Sequence, residues 1–302
     1  MTQSGAGGNP DAGLDRAARA ADVDRALGAL GGRVIAVATG AGISTDSGIP
    51  GYRGEGAVAR TPMTISQFLT DAAYRARYWA GSQLGLARFT SVEPNTGHRV
   101  LAELEHAGLV NGVMTQNVDG LHQRAGATRV VELHGSGNRI RCLRCGQHFS
   151  RDAISRSIAK DNPWLSGIDA RDLGPDGDVE ISRLDDFRVP ACSVCGGVLR
   201  PDIVYFGEFI PASRNRQAAG LIASAGALLV VGSSLVVNSG IRLVNQAVRQ
   251  GKPVVIVNRG ETRADGRATV KIDAGASSTL TALAAGLKGG HKVAGPHGEA
   301  EE

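Results

Sequence analysis

The sequence has no long hydrophobic run, no marked excess of one charge and few cysteines. No apolar run approaches the about 20 residues that a membrane-spanning helix needs, so we expect no membrane partner. The N-terminus lacks the charged and apolar regions of a signal peptide, and it lacks the Arg-rich, acid-poor composition of a transit peptide. These absences predict a soluble protein of the cytoplasm.

Charge and aromatic content narrow the class of protein further. The 33 basic and 29 acidic residues give a net charge of +4. Nucleic-acid-binding proteins concentrate basic residues in patches, so this even mixture argues against a nucleic-acid partner. Aromatic residues make up only 4% of the chain, and many of them lie in residues 64–89, which we interpret as a helical insertion. With 42% hydrophobic residues, the 302-residue chain is long enough for one large domain and a smaller one.

The most informative local pattern is an apolar segment followed by a glycine-rich stretch. Residues 34–38 are typical of a buried parallel strand, and Gly40, Ala41 and Gly42 follow them directly. Glycines at such a strand end let backbone NH groups approach a diphosphate at the start of a helix. A tight strand-to-helix turn needs glycine even without a ligand, so this pattern alone leaves both interpretations open.

Apolar and helical segments then alternate along the chain. Helices are predicted at residues 14–30 and after residue 94, and further strands at residues 110–115, 130–133, 203–206, 227–231 and 253–257. This alternation predicts an α/β fold with a doubly wound parallel sheet that is interrupted twice. His134 directly follows a predicted strand, at the edge where open α/β sheets bind their ligands.

The four cysteines form two CxxC pairs with 46 residues between them. They are Cys142, Cys145, Cys192 and Cys195. Their number and local spacing are typical of a tetrahedral structural zinc site. Two alternatives are disulfides, which a cytosolic setting disfavours, and a redox pair, which a second CxxC pair disfavours. Four thiolates would close the coordination sphere of the metal, so we expect this zinc to stabilise the fold without taking part in catalysis.

Several motifs taken together resemble those of the sirtuin family. They are residues 40–44, 48–50, 52–53, 115–122, 133–135, 204–208 and 231–234, together with the two CxxC pairs. The resemblance extends from about residue 30 to 285. Within the family, residues 59–62, 77–80 and 175–178 look most like the class II, mitochondrial-type members. Gly51 is a departure, because most sirtuins have Asp at this position of a loop that would fold over the cofactor.

The resemblance implies a domain organisation. Sirtuins have a Rossmann-like NAD-binding domain and a smaller domain made of a zinc-ribbon module and a helical module. Carried over to this chain, the NAD-binding domain comprises residues 12–53, 94–138 and 201–286. The helical module comprises residues 54–93, and the zinc module comprises residues 139–200. We expect the tails, residues 1–11 and 289–302, to be disordered because they are rich in small and polar residues.

The resemblance also implies an activity, NAD-dependent deacylation of protein lysines, and a set of site residues. His134 fits the general base that deprotonates a ribose hydroxyl, and Asn117 and Asp119 complete the catalytic set. The implied NAD-binding residues are Gly40, Ala41, Gly42, Thr45, Tyr52, Arg53, Gln116, Asn117, Val118, Asp119, Gly232, Ser233, Ser234, Asn258, Gly260 and Ala276. The acyl-lysine protein substrate would contact Val204, Phe206, Gly207 and Glu208. Asn117 and Asp119 could also simply cap a helix, and His98 and His122 are interpreted as structural residues.

Other functions are weighed against this one. An NAD-dependent dehydrogenase would need an acidic ribose-binding residue about 20 positions after the glycines, where this chain has the helical insertion. A non-catalytic zinc-ribbon binding module leaves the glycine-rich stretch and His134 unexplained. An NAD-dependent protein ADP-ribosyltransferase uses the same cleavage of NAD with a different nucleophile, and the sequence leaves it open.

The sequence also carries an expectation about the acyl chain. Sirtuins that prefer malonyl or succinyl groups resemble one another in having a Tyr and, three residues later, an Arg in the loop after the stretch that corresponds to residues 48–53. Here Arg60 is present, but the residue three before it is Ala57. Small and apolar residues dominate residues 54–64, so we expect acetyl or longer neutral acyl groups, lipoyl-type and branched chains included, rather than succinyl.

Overall fold

The computed structural model describes residues 11–51, 62–168, 184 and 186–289, with only the backbone of residues 11–19, 87 and 88. The strands are β1 (Ile35–Thr39), β2 (Val110–Thr115), β3 (Val130–Glu132), β4 (Gly135–Cys142), β5 (His148–Ser150), β6 (Leu199–Ile203), β7 (Ala227–Val231), β8 (Val254–Val257) and β9 (Val270–Ile272). The helices are α1 (Asp11–Leu30), α2 (Ile65–Thr70), α3 (Ala72–Ser91), α4 (Thr96–His106), α5 (Leu121–Arg124), α6 (Arg151–Asp161), α7 (Ala212–Ser224), α8 (Asn238–Arg249) and α9 (Ala276–Lys288). Within these residues, no helix is both long enough and apolar enough to cross a membrane.

Six strands form one parallel sheet in the order β3-β2-β1-β7-β8-β9. Thr39 at the end of β1 pairs with Thr115 of β2 on one side and with Val231 of β7 on the other. The direction in which the chain adds strands reverses between β1 and β7, so these strand ends meet at the switch point where such sheets bind ligands. The predicted α/β fold class, a Rossmann-like parallel sheet, is confirmed.

Helices cover both faces of the parallel sheet. Ile35 and Val37 of β1 lie in a core shared with α1, α4 and α9. Ala36 and Ala38, which point to the other face, lie in a core shared with α7 and α8. Because both faces are covered, every residue of β1 and β7 is buried, and this explains why these strands are apolar except for Thr39 at the end of β1.

A second, smaller sheet is antiparallel, with the order β5-β4-β6. Its core is shared with helices α3 and α6 and includes Trp79, Ile140 and Ile154. β4 begins immediately after His134, so this histidine lies where the chain leaves the parallel sheet and enters the small one. The position of His134 is therefore set by both sheets.

The strand predicted at residues 203–206 was placed incorrectly. The strand is β6, Leu199–Ile203, and it belongs to the small antiparallel sheet. Residues 205–208 form a turn in which Glu208 NH donates to the Tyr205 carbonyl at 3.0 Å. The apolar residues from 203 to 206 suggested a buried strand, but an ion pair between the buried Arg200 and Glu208 holds the end of this segment in the turn.

The sequence also missed β9, a strand of three residues at the edge of the parallel sheet. Lys271 interrupts its apolar pattern, so the segment was too short and too polar to be recognised. At the ends of the described chain, Asp11 begins α1 and Gly289 caps α9. Residues 1–10, 52–61 and 290–302 lie outside the described residues, as do residues 169–183 and 185.

Candidate active site

Two loops at the carboxyl edge of the sheet are in direct backbone contact. Gly42 NH donates to the Gly232 carbonyl at 2.8 Å, and Gly40 NH donates to the Val231 carbonyl at 3.2 Å. A Cβ atom added at Gly232, whose φ is +63°, would lie 2.3 Å from the Ile43 nitrogen. Glycine is therefore needed here for the contact between the loops after β1 and β7, independently of any bound ligand.

The loop after β2 is joined to the loop after β1 by side chains. Asn117 Nδ2 donates to Ser44 Oγ at 3.1 Å and to the Gly40 carbonyl at 3.2 Å. Ser44 Oγ in turn donates to Asp119 Oδ2 at 2.8 Å. The two predicted catalytic residues of this loop thus share one hydroxyl group, which fixes their positions relative to each other.

Asp119 is a buried carboxyl group. Burial raises its pKa above the ordinary value, while hydrogen bonds from Leu121 NH and from Ser44 act in the opposite direction. Leu121 NH, the first NH of α5, donates to Asp119 Oδ1 at 2.9 Å, but the N-cap residue of this helix is Gly120. Asp119 therefore satisfies one NH at the start of α5 from the position before the N-cap, in addition to its contact with Ser44.

A second chain of hydrogen bonds leads to His134. Ser233 Oγ donates to Gln116 Oε1 at 2.8 Å, and Gln116 Nε2 donates to Ser239 Oγ at 3.1 Å. Ser239 Oγ lies 2.9 Å from His134 Nε2. This chain connects the loop after β7, the loop after β2, the start of α8 and the predicted base.

His134 is held as a neutral imidazole at neutral pH. Burial lowers the pKa of this histidine, and the positive charge of Arg214 acts in the same direction. A hydrogen bond with the backbone of Gln116 opposes both effects. A neutral ring with a lowered pKa can accept a proton at physiological pH, as a general base must.

Two other histidines lie behind the site. His122 Nε2 is 2.9 Å from Thr39 Oγ1, and the His122 ring packs edge-on against the His98 ring with 4.8 Å between centroids. Both side chains are buried, and burial lowers the pKa of His98 to about 4. The packing supports the interpretation of both as structural residues.

The predicted NAD-binding residues near the switch point share the same loops. Ala41 begins a short 3-10 turn after β1, Thr45 Oγ1 donates to the Gly42 carbonyl at 3.0 Å, and Val118 follows Asn117 as a buried residue. Ser234 lies next to Ser233 in the loop after β7. Tyr52 and Arg53 lie outside the described residues.

The remaining predicted NAD-binding residues lie further along the sheet edge. Asn258 directly follows β8, and Gly260 NH donates to Asp273 Oδ1 at 2.9 Å. Ala276 is the first residue of α9. The start of α9 is tied back to the loop after β1, because Ser277 Oγ donates to Asp46 Oδ2 at 2.6 Å.

The predicted substrate segment begins next to His134. Val204 NH donates to the His134 carbonyl at 2.8 Å. Phe206 is exposed, and its carbonyl accepts a hydrogen bond from Ile65 NH at 3.0 Å, which attaches the segment to α2. Gly207, with a φ of +83°, completes the turn that leads to Glu208.

Glu208 has a structural function within the chain. Both of its carboxylate oxygens accept hydrogen bonds from the Arg200 guanidinium at 2.8 Å, and the Arg200 side chain is buried. Burial of Glu208 opposes ionisation, but the bonds from Arg200 and from Tyr205 NH outweigh it and lower the pKa of the carboxyl group. This bidentate pair fixes the shape of residues 204–208.

Comparison with known proteins identifies the family. The model of the Sir2 family matches residues 40–239, which contain both loops, the His134 region and the cysteine pairs. The chain belongs to the Sir2 (sirtuin) family.

Curated relatives and solved structures of the family cover most of this chain. A Mycobacterium avium protein named NAD-dependent protein deacetylase 1 is 49% identical over 84% of this chain and 92% of its own length. The Drosophila melanogaster NAD-dependent protein deacylase Sirt4 is 45% identical over 82% of each chain. The structure of Sir2 with a p53 peptide and NAD+ superposes with a TM-score of 0.70 at 33% identity, covering 88% of this chain and 98% of that chain.

The four cysteines of this sirtuin form one cluster beside the small sheet. All four Sγ atoms lie within 4.8 Å of one another, with 3.5 Å between Cys142 and Cys195 and 3.8 Å between Cys145 and Cys192. These distances exclude disulfides, which need about 2.05 Å. Thiolates about 2.3 Å from a tetrahedral zinc lie about 3.8 Å apart, so the cluster fits one structural zinc ion.

Sequence reasoning missed three side chains that organise the site of this sirtuin. Ser44 lies inside a recognised motif but was given no role. Ser239 and Arg200 lie outside every recognised site motif. Ser239 is 105 residues from its partner His134, whereas Arg200 is eight residues from Glu208. Neither contact belongs to a recognised local motif.

Proposed function

We propose that this chain is an NAD-dependent protein-lysine deacylase that transfers the acyl group to ADP-ribose and releases nicotinamide. One observation carries the proposal: the Val204 segment, expected to hold the acyl-lysine, is hydrogen-bonded to the backbone of His134, the expected base. The acyl group and the base would therefore be positioned by one local structure. The names of the relatives, NAD-dependent protein deacetylase and deacylase, support the same activity.

The residues of the cleft fit NAD as co-substrate. NAD supplies a ribose carbon from which nicotinamide can depart. Asp119 presents a buried carboxylate, an acceptor suited to the NH₂ group of the nicotinamide carboxamide. Asn117 presents an amide that can bond a ribose hydroxyl, and its orientation is fixed by Ser44 and the Gly40 carbonyl. Placing these groups before the reaction removes part of the entropic barrier to it.

His134 supplies the proton acceptor in this proposal. Nicotinamide would depart as the acyl oxygen bonds to the ribose carbon, and His134 Nε2 would take the proton of a ribose hydroxyl so that its oxygen can bond to the acyl carbon. Water would add at that carbon and the carbon–nitrogen bond to lysine would break, so that lysine leaves as the free amine and the acyl group stays on ADP-ribose. The Val204 carbonyl would accept a hydrogen bond from the acyl-lysine NH. Glu208 acts indirectly, because its pair with Arg200 holds the turn in which Phe206 and Gly207 face the substrate.

Finer features of the proposal rest on the sequence. The class II resemblance uses residues 59–62, 77–80 and 175–178, of which residues 77–80 lie in the described part of the chain, within α3. Residence in the cytoplasm and the absence of a nucleic-acid partner belong to the proposal on the same basis. One structural zinc, held by the four cysteines, completes it.

The decisive experiment incubates the full chain with an acetyl-lysine peptide and NAD and identifies the products by mass spectrometry. Deacylation yields free nicotinamide, deacylated peptide and O-acetyl-ADP-ribose. A peptide that gains ADP-ribose would instead show ADP-ribosyl transfer. If the protein retains its zinc and releases no nicotinamide with any peptide, the non-catalytic binding module is the better description.

A further inference from the structure

Ser239 contacts the predicted base although no motif assigned it a role. It is the second residue of α8, and its side chain is half-buried. Its hydroxyl oxygen lies 2.9 Å from His134 Nε2 and 3.1 Å from Gln116 Nε2. Ser239 is thus the link between an NAD-binding side chain and the nitrogen that would accept the ribose proton.

The directions of the hydrogen bonds can be followed along this chain. Leu235 NH donates to Ser233 Oγ at 3.3 Å, so the Ser233 hydroxyl proton is directed to Gln116 Oε1. With its oxygen accepting from Ser233, the Gln116 amide donates from Nε2 to Ser239 Oγ. Ser239 then has its own proton to donate, and His134 Nε2 lies within hydrogen-bond distance, 2.9 Å from the hydroxyl oxygen.

The other side of the imidazole favours the same arrangement. His134 makes a hydrogen bond with the backbone of Gln116 that favours the protonated ring, as a bond from a ring N–H to a carbonyl does. Nε2 is already in contact with Ser239, so this donor is Nδ1. A neutral histidine has one N–H, and placing it on Nδ1 leaves the lone pair on Nε2.

We propose that Ser239 is a positioning residue that donates its hydroxyl to His134 Nε2 and so holds the ring in the neutral, Nδ1-protonated tautomer. This tautomer is the form able to accept a proton at Nε2. Because Gln116 orients Ser239, the tautomer of His134 depends on the loop after β2, which would bind the ribose. When substrates bind, the ribose hydroxyl replaces Ser239 as the donor to Nε2.

The proposal predicts the direction of a pKa change. Protonation of Nε2 removes its ability to accept the Ser239 hydrogen bond, so this bond favours the neutral ring and lowers the pKa. Loss of the hydroxyl should therefore raise the pKa of His134. Among the described residues, the charged group that bears on the ring is Arg214 of α7, which is ion-paired with Asp202 at 2.8 Å and is unchanged by the substitution.

The first test uses the free protein and needs no activity. Imidazole ¹⁵N chemical shifts are followed against pH in the full chain, and the His134 signals are assigned by their loss in His134→Ala. Wild type should show the Nδ1-protonated tautomer. Ser239→Ala should raise the pKa of His134 by roughly half a unit or more and mix the tautomers. Ser239→Thr, which keeps a hydroxyl, should remain close to wild type.

A matched control is available in Ser224→Ala. Ser224 also makes side-chain hydrogen bonds, to Asn111 and to the Gly220 carbonyl, but it lies at the end of α7 away from the site. This variant should leave the His134 pKa and tautomer unchanged. An identical pKa and tautomer in wild type and Ser239→Ala would overturn the proposal.

The second test measures the catalytic consequence, which rests on the proposed deacylase function. Ser239→Ala should lower kcat roughly tenfold, which is less than the loss of about 10² expected when the base itself is removed. The KM for the acyl-lysine peptide should change little. If wild type is inactive while the chemical shifts respond as described, the proposed function fails and the role of Ser239 stands. If wild type is active and Ser239→Ala keeps both its kcat and its His134 tautomer, the role of Ser239 fails and the function stands.

Discussion

Ser44 Oγ donates a 2.8 Å hydrogen bond to Asp119 Oδ2 and thereby joins the loops that follow β1 and β2. Asp119 is 9% exposed, and burial raises the pKa of its carboxyl group. Burial therefore disfavours the charge of this carboxyl group, whereas the hydrogen bonds from Ser44 and Leu121 NH favour it. Such an arrangement serves binding at a cost in stability, a trade-off often found at active sites.

Replacing Asp119 by Asn should separate the contribution of this carboxyl group to binding from its cost in stability. A carboxyl group with a raised folded-state pKa contributes stability that is present below its unfolded pKa, near 3.8, and lost as pH rises through the folded value. Asn carries no charge, so Asp119→Asn should melt at a higher temperature than wild type at pH 7. The difference in melting temperature should shrink as pH falls toward the unfolded pKa of 3.8, and NAD-dependent nicotinamide release should fall. Thermal melts across this pH range test the prediction, and a variant less stable than wild type at pH 7 would contradict it.

Replacing His134 by Ala should lower acyl transfer by roughly 10² or more, the usual scale for a lost general base. The melting temperature and NAD affinity should change little. His122→Ala is the matched control, because this buried histidine bonds Thr39 behind the site and should affect mainly stability. Rates are measured as O-acyl-ADP-ribose formed, and near wild-type turnover in His134→Ala would show that another group is the base.

The cysteine cluster should contain about one zinc ion per chain, as four thiolates close a tetrahedral site. Cys142→Ser or Cys195→Ser should lose both the zinc and the soluble fold, because the cluster lies against the core of the small sheet. Metal analysis of freshly purified, unchelated protein checks the stoichiometry. Protein without zinc would refute the assignment.

Replacing Glu208 by Gln should destabilise the protein by roughly 2 to 4 kcal/mol at pH 7, since the buried Arg200 guanidinium would lose its ionic partner. A carboxyl group with a lowered pKa contributes stability above its unfolded pKa, here 4.5, and loses it as pH falls through the folded value. The difference in unfolding free energy between Glu208→Gln and wild type should therefore become smaller as pH falls. The KM for the peptide should rise, because residues 204–208 lose their fixed shape.

The control for Glu208 is Glu93→Gln. Glu93 also pairs with an arginine, Arg124, at 2.7 Å, but both side chains are exposed. An exposed pair contributes about 0 to 1 kcal/mol, so the control should unfold near the wild-type denaturant midpoint. Equal losses of stability in the two variants would show that burial of Arg200 does not strengthen its ion pair with Glu208.

Acetyl or longer neutral acyl groups should be better substrates than succinyl. The expectation rests on Arg60 without a Tyr three residues before it, in a segment outside the described residues. Matched peptides that carry acetyl, succinyl, a branched glutaryl-type chain and lipoyl are compared by kcat/KM. A tenfold preference for succinyl, about 1.4 kcal/mol of transition-state discrimination, would show that Arg60 or an unidentified residue recognises the distal carboxylate.

The sequence alone was sufficient for features encoded by local pattern. The central strands β1, β7 and β8 are almost entirely apolar because they are covered on both faces, and such segments are recognisable without a structure. The number and spacing of the cysteines in the two CxxC pairs were enough to predict a structural zinc site. His134 was placed at a strand end for the same reason, since the apolar residues before it mark where the strand stops.

Only the tertiary structure decided which polar side chains meet. The Ser239–His134 contact joins residues 105 positions apart, and the ion pair between Arg200 and Glu208, eight positions apart, holds a turn where a strand was predicted. Polar contacts of this kind depend on how helices and loops dock after the strands have formed, and a serine or an arginine looks the same locally with or without its partner. The apolar pattern therefore determined the sheet and the edge where the site lies, whereas the orientation of the groups within the site depends on long-range packing.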